Sequence, residues 1–186
     1  MKRLCFLVIC MSIIMGCSTS TSSTKALVDY VDPNIGTAHC RWFFYTPAAI
    51  PFGMAKLAPS TDAHLGNPGG WQAVGYDFRH TSIEGFANFH EFQVGGVVFA
   101  PTVGELQTVP GELENPDGGY RSRFDKKDEV AAPGYYSVLL KDYGVKAELT
   151  AMKRVGFHRY TYPKTELANL IFDIGRSEEH TSELQS

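Results

Sequence analysis

Two stretches of the chain are dense in aromatic, histidine and carboxylate side chains and could bind a polar ligand. They span residues 36–45 and 67–80, with residues 89–93 close behind the second. A sugar ring has apolar C–H faces and a rim of hydroxyls, so a saccharide site needs an aromatic platform flanked by hydrogen-bonding groups. The residues that fit these roles are Trp71 and Tyr76 as platforms and Asp77, His90, Glu91 and Gln93 as hydroxyl partners. The pattern favours carbohydrate binding.

Burial in a core is the competing interpretation of the same aromatic residues. Trp42, Phe43 and Phe44 follow one another in the first stretch, and aromatic side chains are largely buried on average. Trp71 lies instead in a Pro-Gly-Gly turn, and loops are where binding residues concentrate. For Trp71 both interpretations stay open.

Motifs for metal binding or nucleophilic catalysis lack the spacing that they need. A zinc-binding His-Glu-x-x-His helix would continue from His90 to a second histidine, but Val94 stands in that place. Cys40 has no cysteine near it in the sequence. A glycosidase needs two carboxylates about 5–9.5 Å apart, and no regular element fixes the distance between Glu84 and Glu91. No catalytic residue is therefore assigned within the chain.

Composition indicates a globular protein and argues against nucleic-acid binding. The chain has 186 residues, 44% of them hydrophobic, and a formal charge of −3. At about 100–200 residues per domain, this is enough for one domain with its own core. The 17 basic residues form no block, and contacts to phosphates need clustered lysine and arginine. We expect no nucleic-acid partner.

The first residues have the pattern of a secretory signal. Lys2 and Arg3 precede an apolar run at residues 4–15, which as a helix would rise only about 18 Å, short of the roughly 30 Å of a bilayer core. Cys17 follows in a sequence that resembles the lipobox of bacterial lipoproteins. We expect a signal peptide at residues 1–16, then a lipidated Cys17 and a Ser/Thr-rich tether at residues 17–28. The alternative is an ordinary secretory peptide with an incidental cysteine.

The last eleven residues differ in character from the rest. Residues 176–186, which read RSEEHTSELQS, resemble the translation of a sequencing-library adapter. We expect this segment to be an artefact and the domain at residues 29–175 to be cut short at its end. The alternative is a natural acidic helix.

The second half of the chain has the alternation of antiparallel strands. Residues 135–141 and 145–151 flank a short turn with Gly144, and Val, Ala and Leu alternate with Lys, Glu and Thr in the second segment. Residues 154–162 and 167–173 continue the pattern. Four strands at this spacing predict an all-β fold, an antiparallel β-sandwich.

The first half is rich in proline and glycine, which excludes long helices. Short strands are predicted at residues 53–57, 82–89 and 97–99.

Several ordered motifs resemble the N-terminal domain of glycoside hydrolase family 92. They are VDPNIGT (31–37), PAAIPFGM (47–54), LAPS (57–60), GGW (69–71), GY (75–76), SIEGF (82–86), PTVG (101–104), PGYYSV (133–138), DYGVKAELT (142–150) and VGFHRY (155–160). Together they cover about residues 30–173, and their common order is far more specific than any single motif.

The resemblance implies a galactose-mutarotase-like β-sandwich joined to an (α/α)6-barrel in an exported exo-α-mannosidase. Members of the family trim mannose from N-glycans and mannans with inversion, using a Glu acid, an Asp base and a Ca2+ ion held by the barrel domain. The sandwich would add loops to the mannose pocket, through Trp71, Tyr76, Asp77, His90 and Glu91. Calcium and the catalytic pair would then lie outside this chain, which alone should be inactive.

Some positions depart from the family pattern. Asn34 stands where an aromatic residue is common, residues 38–45 replace a Gly/His-rich loop, and residues 90–93 replace a histidine followed by small residues. The departures indicate a divergent subgroup. Two other functions stay open, namely a stand-alone carbohydrate-binding lipoprotein and a structural domain at the cell surface. In each case we expect export and a lipid anchor, periplasmic or on the cell surface.

Overall fold

The computed structural model describes residues 25–38, 47–61, 75–90 and 93–174. The chain divides into two units, Met1–Tyr30 and Val31–Ser186. In the first, the described residues form one 3₁₀ turn at Leu27–Tyr30, where the carboxylate of Asp29 accepts a hydrogen bond from Ala26 N–H at 3.0 Å. The strands described below all belong to the second unit.

Ten strands lie within the described residues, which contain no α-helix. They are β1 (Leu57–Ser60), β2 (Ser82–Ile83), β3 (Gly85–His90), β4 (Gln93–Val103), β5 (Ser122–Arg123), β6 (Val130–Ala132), β7 (Tyr135–Leu140), β8 (Val145–Ala151), β9 (Gly156–Thr161) and β10 (Ala168–Asp173). Two further 3₁₀ turns lie at Pro116–Gly118 and Lys126–Asp128.

The strands form two four-stranded antiparallel sheets. The first sheet has the order β1-β3-β4-β10 and the second β6-β7-β8-β9, while β2 pairs with β5 in a small two-stranded sheet. The two large sheets pack face to face, with a cluster of buried apolar side chains between them. Phe86 of the first sheet lies 6.5 Å from Tyr136 and 5.8 Å from Tyr160 of the second, measured between ring centroids. The predicted all-β antiparallel β-sandwich is confirmed.

The β7–β8 hairpin forms where the alternation predicts it. Leu140 pairs with Val145 across the turn, and Gly144 adopts φ +63°, a left-handed conformation that glycine reaches without strain. One residue departs from the predicted exposure: Glu148, on the outer face of β8, is only 8% exposed. Arg159 and Tyr135 cover it through hydrogen bonds of 2.7 and 2.8 Å to its carboxylate.

Of the predicted strands of the first half, one was misplaced and another was too short. The strand predicted at residues 53–57 is instead β1 at Leu57–Ser60, because Phe52 turns the chain with φ +57° and Gly53 N–H bonds to Ile50 C=O at 2.9 Å. The strand predicted at 97–99 extends over the whole of β4 and through Pro101. That proline is tolerated because β4 pairs only with β10 beyond Phe99.

Candidate functional site

The structure describes part of the predicted sugar-binding set. Tyr76 and Asp77 lie in the segment that leads to β2, and His90 is the last residue of β3. Trp71 and Glu91 lie outside the described residues, as do the predicted lipidation site Cys17 and the aromatic run 42–44. Of the predicted set, Tyr76 and Asp77 are therefore the residues whose side-chain contacts the structure describes.

Thr61 and Gly75 join the two ends of the segment that contains Trp71. Thr61 N–H and Thr61 Oγ1 both donate to the carbonyl of Gly75, at 2.8 and 2.9 Å. Thr61 is fully buried, so water does not compete for these bonds. The thirteen residues between them, 62–74, thus start and finish next to two residues that are bonded to each other.

The same hydroxyl fixes the residues that follow Gly75. Thr61 Oγ1 accepts a hydrogen bond from Asp77 N–H at 3.0 Å and lies 2.8 Å from Nδ1 of His80. A hydroxyl has one proton to donate, and here that proton points to Gly75 C=O. When the hydroxyl donates to Gly75, its contact with His80 requires the ring tautomer that carries a proton on Nδ1.

Gly75 brings this segment against the end of β3. Its φ is +129°, and a Cβ at this position would lie 2.6 Å from the ring of Phe89. Both observations require glycine here. Because Phe89 precedes His90 in β3, the close approach brings the backbone of Tyr76 and Asp77 toward the strand end that carries His90.

Asp77 forms a bidentate ion pair with Arg79. Its side chain accepts hydrogen bonds from Arg79 Nε at 2.9 Å and from a terminal guanidinium nitrogen of Arg79 at 2.6 Å, and also from Arg79 N–H at 2.9 Å. Burial by itself would raise the pKa of Asp77, but these hydrogen bonds and the charge of His80 lower that pKa to about 2. A sugar hydroxyl would have to share oxygens that Arg79 already occupies.

Tyr76 reaches across to the second sheet through its hydroxyl. That hydroxyl donates to Glu129 at 2.9 Å and accepts from Lys126 Nζ at 2.5 Å, and Tyr136 of β7 donates to the other oxygen of Glu129 at 2.8 Å. The Glu129 side chain is 4% exposed. The hydroxyl of Tyr76 is thus engaged within the protein.

Lys126 lies among three aromatic rings. Its Nζ is 4.5–4.6 Å from the ring centroids of Tyr76, Phe78 and Phe124, within the range of cation–π attraction. Burial lowers the pKa of Lys126, although the nearby Glu129 acts in the opposite direction. This aromatic lysine cluster packs the segment after Gly75 firmly against the second sheet.

Comparison with known proteins identifies the family. The model of the glycosyl hydrolase family 92 N-terminal domain matches residues 30–186. The chain belongs to glycosyl hydrolase family 92. No protein of curated function matches it.

Three solved structures of family 92 proteins resemble the chain. A family 92 α-mannosidase of Bacteroides thetaiotaomicron in complex with mannoimidazole is 38% identical, with a TM-score of 0.74 over 82% of this chain and 20% of its own. The family 92 glycosyl hydrolase ccman5 is 29% identical, with a TM-score of 0.59 over 79% of this chain and 20% of its own. A family 92 inverting mannosidase of B. thetaiotaomicron VPI-5482 is 24% identical and shares the fold, with a TM-score of 0.58 over 80% of this chain and 20% of its own.

The chain therefore spans about a fifth of the length of these family 92 structures. The described part of the chain contains no group of three or more His, Cys, Asp or Glu side chains placed to hold a metal ion. Across the same residues, no helix is long and apolar enough to cross a membrane.

The residues that position the site were not evident in the sequence. Thr61 has no motif around it, and Lys126 and Glu129 belong to the charged run KKDE, which is typical of a solvated surface. Their partners in the segment that begins at Gly75 are 14 to 53 residues away along the chain. The only local signal was the spacing of Asp77 and Arg79. An aspartate side chain can accept a hydrogen bond from the backbone N–H two residues later.

The Asp77–Arg79 pair predicts a pH-dependent stability. The pKa of Asp77 falls from an ordinary value near 3.8 to about 2 in the folded state, so its contribution is complete above about pH 5 and is lost as the pH falls toward 2. We expect the difference in unfolding free energy between wild type and Asp77→Asn to shrink over that window. Because the Arg79 side chain is 43% exposed, solvent screening limits the pH-dependent part to about 1 kcal/mol.

Urea unfolding of both proteins at several pH values checks this expectation. Glu148 also has a pKa lowered to about 2, so the comparison is repeated in a Glu148→Gln background, where the slope that remains belongs to Asp77. A difference that stays constant from pH 6 to pH 2.5 would contradict the assignment.

Proposed function

We propose that this chain is the N-terminal, substrate-pocket domain of an exported exo-α-mannosidase that acts on N-glycans or mannans. One observation carries the proposal: 82% of the chain aligns at 38% identity with an α-mannosidase that was solved with mannoimidazole bound. The all-β sandwich and the family match agree with it. Folds host many functions, so the proposal depends on that likeness and on the loop geometry.

The geometry supports a binding role for the segment around Trp71. A platform residue orients a sugar well only if its loop is anchored, since ordering a loose loop costs free energy on binding. The bonds of Thr61 to Gly75 supply that anchor. We propose that Trp71 is the main platform and that two residues contact sugar hydroxyls, His90, which ends β3, and Glu91, which follows it in the sequence.

Tyr76 and Asp77 have narrower roles in this proposal. The hydroxyl of Tyr76 bonds to Glu129 and Lys126, so only the ring contacts the sugar. The Asp77 carboxylate accepts from Arg79 and contacts a sugar hydroxyl through an oxygen lone pair that Arg79 leaves available.

The chemistry of hydrolysis is proposed to lie in the rest of the parent protein. A Glu acid, an Asp base and the Ca2+ ion would belong to an (α/α)6-barrel domain, and an inverting reaction would use the two carboxyl groups on opposite sides of the bond. Residues 1–16 would direct export and Cys17 would carry the lipid anchor, which places the enzyme in the periplasm or at the cell surface.

Activity of the parent protein tests the proposal. The gene is extended past codon 175, and the full-length product and residues 18–175 are each assayed on an aryl α-mannoside with Ca2+ present. We expect turnover by the full-length protein and none by the fragment, because the fragment lacks the barrel. In the full-length enzyme, Trp71→Ala should raise KM by about tenfold or more, a loss of about 1.4 kcal/mol of binding.

Tyr76→Phe is the matched control that separates the contribution of the Tyr76 ring to sugar binding from that of its hydroxyl. It keeps the ring and removes the bond to Glu129, so we expect KM close to wild type and a modest loss of stability of about 1 kcal/mol. Turnover by residues 18–175, or no α-mannosidase activity in the full-length protein, would contradict the proposed function. If the gene instead ends near codon 175 and its product binds glycans, the protein is a stand-alone binding module.

A further inference from the structure

One ammonium group contacts the residues on both sides of Asp77. Lys126 Nζ lies 4.6 Å from the ring centroid of Tyr76 and 4.6 Å from that of Phe78. These two residues flank Asp77 in the chain. Because cation–π attraction draws both rings toward the same point, the aromatic lysine cluster holds the backbone of Asp77 through its two neighbours. The position of Asp77 therefore depends on the position of Lys126.

Lys126 is itself held by the second sheet. It begins the 3₁₀ turn Lys126–Asp128, which Glu129 alone separates from β6. Its Nζ donates to Glu129 at 3.0 Å, and Tyr136 of β7 donates to the other oxygen of that carboxylate at 2.8 Å. The Glu129 side chain is 4% exposed, so salt screens this ion pair much less than an exposed one.

The ion pair adds fixed geometry more than stability. Removing two charges from water costs about as much free energy as their attraction returns. Burial lowers the pKa of Lys126, whereas the charges of Glu129 and Asp77 act in the opposite direction. The ammonium must satisfy the carboxylate of Glu129, the hydroxyl of Tyr76 and the aromatic rings at the same time, and that combination fixes where it lies.

The neighbouring lysine of the same turn has quite different surroundings. Lys127 Nζ lies 3.7 Å from Asp125 Oδ2, and its side chain is 77% exposed. The Lys126 side chain is 31% exposed. Because the two lysines are adjacent and carry the same charge, a difference between their variants reports the contacts of Lys126 and not the charge of the turn.

We propose, on the basis of the function proposed above, that Lys126 is a positioning residue that holds the Tyr76 ring and Asp77 where they meet the sugar. Thr61 fixes the same segment through its backbone, and Lys126 fixes it through the side chains. A segment that is held in both ways is pre-organised. The sugar then does not have to order it on binding, which would cost affinity.

Kinetics of the full-length enzyme test this role. Lys126→Met keeps most of the side-chain length and removes the ammonium. We expect KM for an aryl α-mannoside to rise about tenfold and kcat to stay within about twofold of wild type, because the loss affects binding and not the reacting atoms. Lys126→Arg keeps a cation that stacks on aromatic rings and should recover most of the affinity. Lys127→Met is the matched control and should leave KM and kcat unchanged.

A double variant separates positioning from loss of stability. Lys126→Met alone leaves the carboxylate of Glu129 buried without its cation, which destabilises the fold. Lys126→Met combined with Glu129→Gln leaves no charge unpaired, and the hydroxyls of Tyr76 and Tyr136 keep a side-chain amide as their partner. We expect the urea midpoint to return toward wild type in the double variant, while KM stays raised.

Amide hydrogen exchange gives a readout that needs no substrate. Asp77 N–H donates to Thr61 Oγ1 at 3.0 Å. Phe78 N–H donates to Thr37 C=O at 3.3 Å. We expect both amides to exchange at least about tenfold faster in the full-length double variant than in wild type, because the segment opens locally. The amides of β7 and β8 should keep their wild-type rates.

The other outcomes overturn the positioning role of Lys126. Unchanged exchange and KM in the double variant would show that Thr61 alone fixes the segment. Faster exchange with unchanged KM would make Lys126 a purely structural residue, and a KM that returns to wild type in the double variant would assign the effect to instability. An equal rise of KM in Lys127→Met would assign it to charge. In all these cases the wild-type enzyme still turns over the mannoside, whereas no turnover by wild type would overturn the proposed function itself.

Discussion

Replacement of Gly119 by alanine is expected to lower the free energy of unfolding by about 3 kcal/mol or more. A Cβ at this position would lie 2.2 Å from Gly111 N, 2.3 Å from Val109 O and 2.5 Å from the carbonyl carbon of Pro110. All three atoms belong to the backbone, which cannot move aside as the end of a side chain can. The cost is steric, because Gly119 has an extended φ of −169° that any residue adopts.

The clash would separate two segments that the structure joins. Tyr120 N–H donates to Val109 C=O at 2.8 Å, and Arg121 N–H donates to Pro110 C=O at 3.1 Å. Alanine at position 119 would push residues 109–111 away and break both bonds. Urea unfolding followed by circular dichroism measures the loss.

Gly118→Ala is the matched control for this prediction. Its Cβ would meet the side-chain amide of Asn115 at 2.8 Å, and that amide can rotate away. We therefore expect a loss of less than about 1 kcal/mol. Equal effects of the two substitutions would show that the loop yields at position 119 and that the backbone approach is not rigid.

The second half of the fold could be predicted because local pattern and pairing agree there. In β7 and β8 the apolar residues alternate toward one face, and Gly144 closes the turn. Strand β9 begins two residues later than predicted, at Gly156, where a Cβ would lie 2.6–2.8 Å from the side chain of Leu57. That contact joins residues about a hundred positions apart, so no local pattern records it.

The first half was harder to predict because proline disrupts a strand that is paired on both sides but is tolerated where one side of the strand is unpaired. Pro59 and Pro101 both lie in strands, although proline normally argues against a central strand. Each sits where its strand lacks a neighbour on one side, Pro59 in the edge strand β1 and Pro101 beyond the last pair of β4 with β3. A sequence cannot show which edge of a strand is unpaired, so the pattern ended those strands too early.

The candidate site could likewise be predicted from the sequence only in part. Residue type and loop position suffice to select Tyr76 and Asp77, but their partners come from Lys126, Glu129 and Arg79, of which only Arg79 is close in sequence. Consequently the sequence predicts free polar groups where the structure has engaged ones. The sugar-binding role of all five residues stays a prediction.

Arg121→Met is the second substitution for which we expect a large effect, a loss of about 3–5 kcal/mol in unfolding free energy. Arg121 is 1% exposed, and its Nε donates to Ser82 Oγ at 3.0 Å. Its terminal nitrogens donate to the carbonyl of Thr61 and, at 3.4 Å, to that of Gly111. Methionine has a similar length but no donor, so two buried acceptors and the half-buried carbonyl of Gly111 would lose their partner.

The expected damage reaches the candidate site through Thr61. Its carbonyl binds Arg121, while its N–H and hydroxyl hold Gly75, Asp77 and His80. In the full-length protein, Arg121→Met should therefore weaken glycan binding as well as stability. Arg121→Lys, which keeps one charge and loses the planar fork, should give an intermediate loss.

Arg123→Met is the control that separates a buried arginine from an exposed one. The Arg123 side chain is 42% exposed and pairs with Asp117 at 2.6 Å and Asp142 at 3.3 Å. Exposed ion pairs contribute little, so we expect a much smaller change in unfolding free energy than for Arg121→Met. The urea midpoints of Arg121→Met, Arg121→Lys and Arg123→Met, measured at one pH, test these expectations. If Arg121→Met cost no more than Arg123→Met, the three acceptors would have found water, and Arg121 would not be the link between Thr61 and the 109–111 segment.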